Sequence, residues 1–288
     1  MKIKLFGFIL AFLFIFCNES WAAEKIIYSS LVDGYWQIYI MDTDGSHKQQ
    51  LTNSLVDKKF PVYLKNSNKI LYKTSNNEFF LINSDGSDTQ KFLSDLGSIT
   101  DAAYNERLKK IVFSRFRQET LDNSDIWMSD IDGNNLTILT NDWGLQYCPS
   151  FSSDAKKIVY TSGHGFGTHE IYTLDLDTKK SVRLTEDQAL DFFPVFSPNG
   201  KKIAYVSDVS GNYDIWIMNI DGSKKTQITK DQAMDTRPFW APSGKEIVFT
   251  STRSGNLQIW KMDKTGNNFI QLTFDQESQH PFWAGEFE

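Results

Sequence analysis

The sequence predicts an all-β protein: a six-bladed β-propeller of four-stranded antiparallel blades, closed by a first blade shared between the two ends of the chain. Three observations predict it. A unit of roughly 44 residues recurs along the chain, each unit carries four short strand signals, and the two ends supply complementary parts of one unit.

The unit is plainest over residues 192–229, FFPVFSPNGKKIAYVSDVSGNYDIWIMNIDGSKKTQIT. FPVF, KIAYVS, DIWIMNI and TQIT read as strands, separated by the turn residues Pro198-Asn199-Gly200, Ser210-Gly211-Asn212 and Asp221-Gly222. Apolar and aromatic residues fall on both faces of such a sheet, so it needs a neighbour on each side. The first strand is marked by Pro61, Pro149, Pro194, Pro238 and Pro281, with Ala102 in register, at spacings of 41, 47, 45, 44 and 43 residues. Nine residues after each of the first five markers, taken in chain order, a second strand begins: Ile70-Leu71-Tyr72, Ile111-Val112-Phe113, Ile158-Val159-Tyr160, Ile203-Ala204-Tyr205 and Ile247-Val248-Phe249. The third strand holds one aromatic at a fixed place: Tyr39, Phe80, Trp127, Tyr172, Trp216 and Trp260. The turn into the fourth strand carries Gly45, Gly86, Gly133, Gly222 and Gly266, with Thr178 as the exception.

Ile26-Ile27-Tyr28 begins a unit at its second strand, and HPFWAGEF from His280 is a first strand without the other three. Joining them completes the sixth blade and removes the free sheet edges that an open array would expose.

Ahead of the ring, Lys2 and Lys4 precede the apolar run Leu5 to Phe16, and Ser20-Trp21-Ala22 offers a cleavage site. Residues 1–22 are therefore expected to be a signal peptide cut after Ala22. The apolar run falls short of the roughly 20 residues that cross a bilayer. Soluble export to the periplasm or medium is favoured over a lipoprotein anchored through Cys17, because Phe16 stands where a small residue would precede a lipidated cysteine. The remaining 23–288 form one domain of 266 residues with 28 Lys plus Arg, 35 Asp plus Glu and a net charge of about −7. An acidic surface without a basic stripe argues against a nucleic-acid partner. Cys148 alone remains in the mature chain, so no internal disulfide is expected.

Residue types that recur in every unit point to structure. The third-strand aromatics are expected to pack between sheets, at about 1.5–3 kcal/mol each. Asp-Gly and Asn-Gly pairs serve turns that need positive φ, and no unit has the spacing of a calcium-binding EF-hand loop. Gln37, Glu78, Asp125, Glu170, Asp214 and Gln258, just before the aromatic pairs, are expected to accept hydrogen bonds from the preceding loop.

Variation points to function. From the second-strand aromatic to the third-strand one takes 11, 8, 14, 12, 11 and 11 residues, so the loops on that face form an uneven crown. The inter-blade loops bring Asp57, Lys59, Asp101, Gln146, Tyr147, Asp191, Phe192, Asp235, Arg237, Gln279 and His280 to the same rim, where mixed charge and aromatics suit a peptide or protein ligand. Asp191 and Asp235 serve equally well as turn caps. His164, His169 and His280 fall on two separate blades, so convergence on one metal ion is not expected. No nucleophile elbow, HExxH helix or phosphate-binding glycine loop occurs, and neither a catalytic residue nor a cofactor is assigned.

The units PVFSPNGKKIAYVS, DIWIMNIDGS and QIT, and PFWAPSGKEIVFTSTRSGNLQIWKMDKTG with QLT, resemble the repeat of the TolB-like propeller family over residues 26–288. The resemblance implies a periplasmic, non-catalytic binding ring, a monomer whose channel mouth receives an envelope protein or peptide, as TolB receives the lipoprotein Pal. Beside six repeats this chain is expected to have no room for the N-terminal α/β domain that TolB carries. The same repeat occurs in peptidase gating domains and sugar-acid lyases. A carbohydrate-active enzyme of the uronate-lyase type, and a gate acting with a separate hydrolase, are therefore the alternatives.

Overall fold

The computed structural model describes residues 24–93, 98–117, 122–163 and 167–286. The expected leader, Cys17 within it and His164 lie outside the described residues. The described residues are all-β apart from a single 3-10 turn, Lys65–Ser67, and among them no helix is long and apolar enough to cross a membrane.

The strands run in chain order and pair with their sequence neighbours. β1 (Glu24–Val32), β2 (Tyr35–Asp42) and β3 (Gln49–Gln50) are followed by β4 (Lys58–Leu64), β5 (Lys69–Thr74), β6 (Phe79–Asn83) and β7 (Gln90–Phe92). Next come β8 (Ile99–Asn105), β9 (Lys110–Phe116), β10 (Ser124–Asp130) and β11 (Thr137–Ile138), then β12 (Leu145–Phe151), β13 (Lys157–Gly163), β14 (His169–Asp175) and β15 (Ser181–Arg183). β16 (Asp191–Phe196), β17 (Lys202–Ser207), β18 (Asp214–Asn219) and β19 (Thr226–Gln227) precede β20 (Asp235–Trp240), β21 (Glu246–Ser251), β22 (Gln258–Asp263), β23 (Ile270–Gln271) and the last strand, β24 (Ser278–Glu286).

These strands form five hydrogen-bonded sheets, four of four strands and one of eight. In the large sheet, β8 to β11 and β12 to β15 are each an antiparallel unit, and a single parallel pairing of Ser124 with Leu145 links them. The link is local: Ser124 N–H donates to Gly144 O at 3.2 Å and Gly144 N–H to Asn123 Oδ1 at 2.6 Å. The first and last described strands share one sheet, as the sequence predicts. β24 pairs antiparallel with β1, placing Ile26 opposite Trp283 and Ile27 opposite Phe282.

Apolar clusters fill the spaces between successive units. Ile27 and Ile38 pack with Ile70 and Tyr72, Val159 and Ile171 with Ile203 and Tyr205, and Ile26, Tyr28 and Met41 with Val248 and Ile259. The last of these joins the final complete unit back to the first. Both faces of each sheet are thus covered, which explains apolar residues at successive strand positions where a half-buried sheet would alternate.

The deepest aromatics differ from those expected. Tyr28, Tyr72, Phe113, Tyr160, Tyr205 and Phe249 on the second strands are buried, whereas Tyr39, Phe80, Trp127, Tyr172, Trp216 and Trp260 on the third are half-buried. The two sets stand directly opposite one another, for example Tyr72 with Phe80 and Tyr205 with Trp216. A cross-strand pair of this kind contributes about 0.2–1 kcal/mol beyond burial. The inner strand lies deeper, so its ring is sealed and its partner covers it.

The acid or amide before each third-strand aromatic pair has a structural partner, though in most units not the preceding loop. Thr52, Thr185, Thr229 and Thr273, at the end of the fourth strand, donate to Gln37, Glu170, Asp214 and Gln258 at 2.9, 2.6, 3.1 and 2.5 Å. Each of these hydroxyls accepts the backbone N–H of the residue after that acid or amide, at 2.8–2.9 Å. The side chain thus latches the short outer strand to the third. Glu78 and Asp125 depart from the pattern: Glu78 pairs with Lys91 at 2.7 Å, and Asp125 takes Arg117 of its preceding loop at 2.7 Å. Asp214 also accepts from Ser210 of its preceding loop at 2.6 Å, so Asp125 and Asp214 make the loop contact that was expected.

Candidate functional site

Every first strand carries a β-bulge at one place, just ahead of its marker residue. The register shifts lie between Lys59 and Val62, Ile99 and Ala102, Tyr147 and Ser150, Phe192 and Val195, and Thr236 and Phe239, with the matching irregularity between β1 and β24 at Ile27 and Ser29. The residue before the proline takes a left-handed conformation: Phe60 at φ 57°, Cys148 at 51°, Phe193 at 54°, Arg237 at 54° and His280 at 55°. Proline disfavours the right-handed helical region for its predecessor, and the bulge uses the opposite hand. A bulky residue held there costs about 1–3 kcal/mol, and such strain concentrates at binding and catalytic sites.

The bulges turn Phe60, Asp101, Cys148, Phe193, Arg237 and His280 toward a common cavity of about 370 Å³. Its wall follows the first strands from these residues to the turns at Asn105, Ser152, Pro198 and Pro242. The six equivalent positions hold five different residue types, whereas the positions that build the sheets repeat.

Arg237 is the hub. Its guanidinium lies 3.5 Å from the ring centre of Phe193 and 4.5 Å from that of Phe60, with Nη1 3.5 Å from Asp101 Oδ1 and 3.9 Å from Cys148 Sγ. Such an aromatic sandwich fixes a cation by its ring quadrupoles as well as by ion pairing. The His280 ring stacks obliquely on Phe60 at 4.1 Å, and its Nδ1 is buried without a hydrogen-bond partner. Burial, reinforced by Arg237, Lys59 and Lys73, pushes the His280 pKa well below the usual imidazole value, so the ring is neutral. Burial likewise lowers Lys73, against the opposing pull of Asp101. Burial raises the Cys148 thiol, with Asp101 adding to the effect, so the free cysteine is a protonated, unreactive group.

Of the rim residues read from the sequence, Asp101, Arg237 and His280 line this cavity. Lys59, half-buried, sits 3.9 Å from Asp57 and over the Trp36 ring, while Asp57 accepts the Trp36 N–H at 3.0 Å. Tyr147 OH meets His169 Nδ1 at 2.7 Å, and Phe192 packs edge-on against Tyr213 and Phe193. Gln279 pairs in register with Ser29. Gln146, Asp191 and Asp235 are strand residues at most 1% exposed, and Asp235 takes Arg253 at 2.8 Å. They sit inside the sheet and present nothing to solvent.

Sequence reasoning missed Phe60, Cys148 and Phe193. Their signal is the variable residue before each marker proline, the place that Arg237 and His280 also occupy; the left-handed backbone that groups them shows only in the structure. Among the described residues the histidines do not converge: His47 bonds Asp42 at 2.7 Å in an exposed turn, His169 meets Tyr147, and His280 meets Phe60. Carboxylates of Glu170, Asp187 and Asp191 bring oxygens within 4.8 Å of one another. Arg183 and Thr185 take the two oxygens of Glu170, each at 2.6 Å, so the cluster belongs to the latch of its unit.

Comparison with known proteins agrees with this fold. Solved structures assigned to TolB share the fold: one from Agrobacterium tumefaciens at TM-score 0.74 and 18% identity, covering 92% of each chain, and one from Acinetobacter baumannii at 0.76 and 23%. The latter alignment covers 91% of this chain and 66% of that protein, so the chain spans about two thirds of its length. An oligogalacturonate lyase from Vibrio parahaemolyticus matches at TM-score 0.56 and 13% identity, over 86% of this chain and 72% of that one. Among curated proteins no sequence matches. The TolB beta propeller domain matches residues 108–286, well over half of the sequence, and the chain belongs to that family.

Proposed function

We propose that the protein is an exported, non-catalytic binding ring of six blades, acting as a monomer, whose central cavity receives a protein or peptide of the cell envelope. The count of six treats the eight-stranded sheet as two blades bridged by the Ser124–Leu145 pairing, which agrees with the repeat read from the sequence. Export rests on the leader-like residues 1–22.

One observation carries the binding reading. The residues that differ from repeat to repeat meet in a single cavity, on backbone bent out of the favoured conformations to aim them there. Aromatic rings around a fixed guanidinium are the composition of a recognition hot spot. The nearby thiol is held protonated and the nearby imidazole has no hydroxyl partner, so this constellation lacks an activated nucleophile.

The test is affinity capture from envelope extract with the purified mature chain and with Arg237→Ala. We expect the wild type to retain an envelope protein that the variant loses. Failure of the wild type to retain any protein sinks the reading. Metal analysis and an unsaturated-product assay on uronate oligomers address the lyase alternative, and both are expected to be negative.

A further inference from the structure

The charges around the cavity do not balance locally. At the Phe60 end, Lys59, Lys73 and Arg237 supply three cations against the carboxylates of Asp57 and Asp101, at 3.9 Å from Lys59 and 3.5 Å from Arg237, while Glu106 lines the cavity beyond the end of β8. Lys73 Nζ lies 5.7 Å from the Phe60 ring centre, and among the described residues no carboxylate is within ion-pair distance of it. Lys73 is paired in register with Lys59, so the two cationic side chains leave the sheet from adjacent positions. Beside them the buried Nδ1 of His280 has no hydrogen-bond partner. A half-buried ammonium without a counter-ion and an unsatisfied ring nitrogen are both costly, and one anionic group relieves both. The surplus runs against the whole molecule, whose net charge is −6.

We infer that this end of the cavity is a receptor for a single carboxylate, carried on an acidic side chain or chain terminus of a peptide and flanked there by apolar residues. The inference rests on the binding-ring reading and names the chemistry of its ligand. The carboxylate takes its place among Lys73, Arg237 and His280, where Arg237 is already held between two rings and loses little freedom on binding. Phe60, Phe193, Phe239 and Phe282 with the marker prolines form the rest of the wall and accept the neighbouring apolar side chains. A uronate oligomer fits less well, because it carries a carboxylate on every residue, whereas this end of the cavity offers one unpaired ammonium and the wall also carries Asp101 and Glu106.

The experiment is fluorescence anisotropy at low salt with a labelled Gly-Phe-Glu-Leu-Gly peptide amide, its glutamine counterpart, and unlabelled trigalacturonate as competitor. We expect the glutamate peptide to bind at least tenfold more tightly than the glutamine one, with affinity falling as salt rises. Lys73→Met retains the stem that packs on Phe60 and is expected to abolish the preference; Arg237→Met is expected to weaken both peptides. Equal affinity for the two peptides, an unchanged preference in Lys73→Met, or displacement by trigalacturonate at lower concentration than by the unlabelled peptide overturns the assignment. Capture of an envelope protein that ignores Lys73→Met would leave the binding ring standing and remove the carboxylate receptor. Peptide discrimination without any captured protein would do the reverse.

Discussion

Asp191 is a carboxylate with 1% of its surface exposed, and burial raises its pKa to about 6 from 3.8, despite the hydroxyls of Ser207 and Thr185 nearby. A raised carboxylate favours the folded state at low pH. Between the two values the folded chain holds a proton that the unfolded chain has released, so this residue's contribution falls as pH rises from about 4 to 6. The difference amounts to about 3 kcal/mol at most. Asp191→Asn is therefore expected to gain stability relative to wild type on going from pH 4 to pH 7, checked by urea unfolding at both. The threonine latches give a second measurement. Thr229→Val removes the donor to buried Asp214 and the acceptor for Ile215 N–H, and should lower stability by about 2 kcal/mol in the same assay. The acid or amide half of that latch was legible in the sequence from its recurrence. The threonine half was not, because it lies 15 residues further on and only the sheet brings the two together.

Among the elements, the turn into the fourth strand shows why one residue type recurs. Gly222 has φ +82°, and a Cβ there would stand 2.8 Å from Leu184 O in the preceding unit; a Cβ on Gly266 would collide with Ile228 O in the same way. The turn packs backbone against backbone across the gap between units. Gly211, at φ +102°, has nothing within 4 Å. Gly222→Ala is thus expected to cost clearly more than Gly211→Ala, whose penalty is backbone strain alone, about 1 kcal/mol, and thermal unfolding of the pair separates packing from conformation. Strand order and turns could be read from periodicity and from glycine and proline. The bulges could not: one extra residue in the first strand shifts its alternation, but in strands that are apolar on both faces that shift leaves no mark, and the bulge shows only in the pairing register. For that reason the rim inferred from sequence contains three cavity residues, Asp101, Arg237 and His280, and omits Phe60, Cys148 and Phe193.

At the scale of the whole molecule, stability depends on sheets that cannot stand alone. Each unit buries both faces against neighbours, and the sheet containing β1 is completed by β24. Removing residues 278–288 would bare one long edge of β1 together with the apolar surface that Phe282 and Trp283 cover. The truncated protein is expected to unfold less cooperatively than the full chain and to associate, as read by calorimetry and size-exclusion chromatography. The meeting of the ends was foreseeable from counting repeats, since an incomplete unit at one end matched the missing part at the other. Glu24 faces Glu286 across that sheet. A short peptide bridge would make the polypeptide endless, and a cut in any exposed inter-unit turn would relocate the join without altering a rung. Groups fused before Glu24 and after Glu286, by the same token, depart from neighbouring points of one sheet and leave the other sheets untouched.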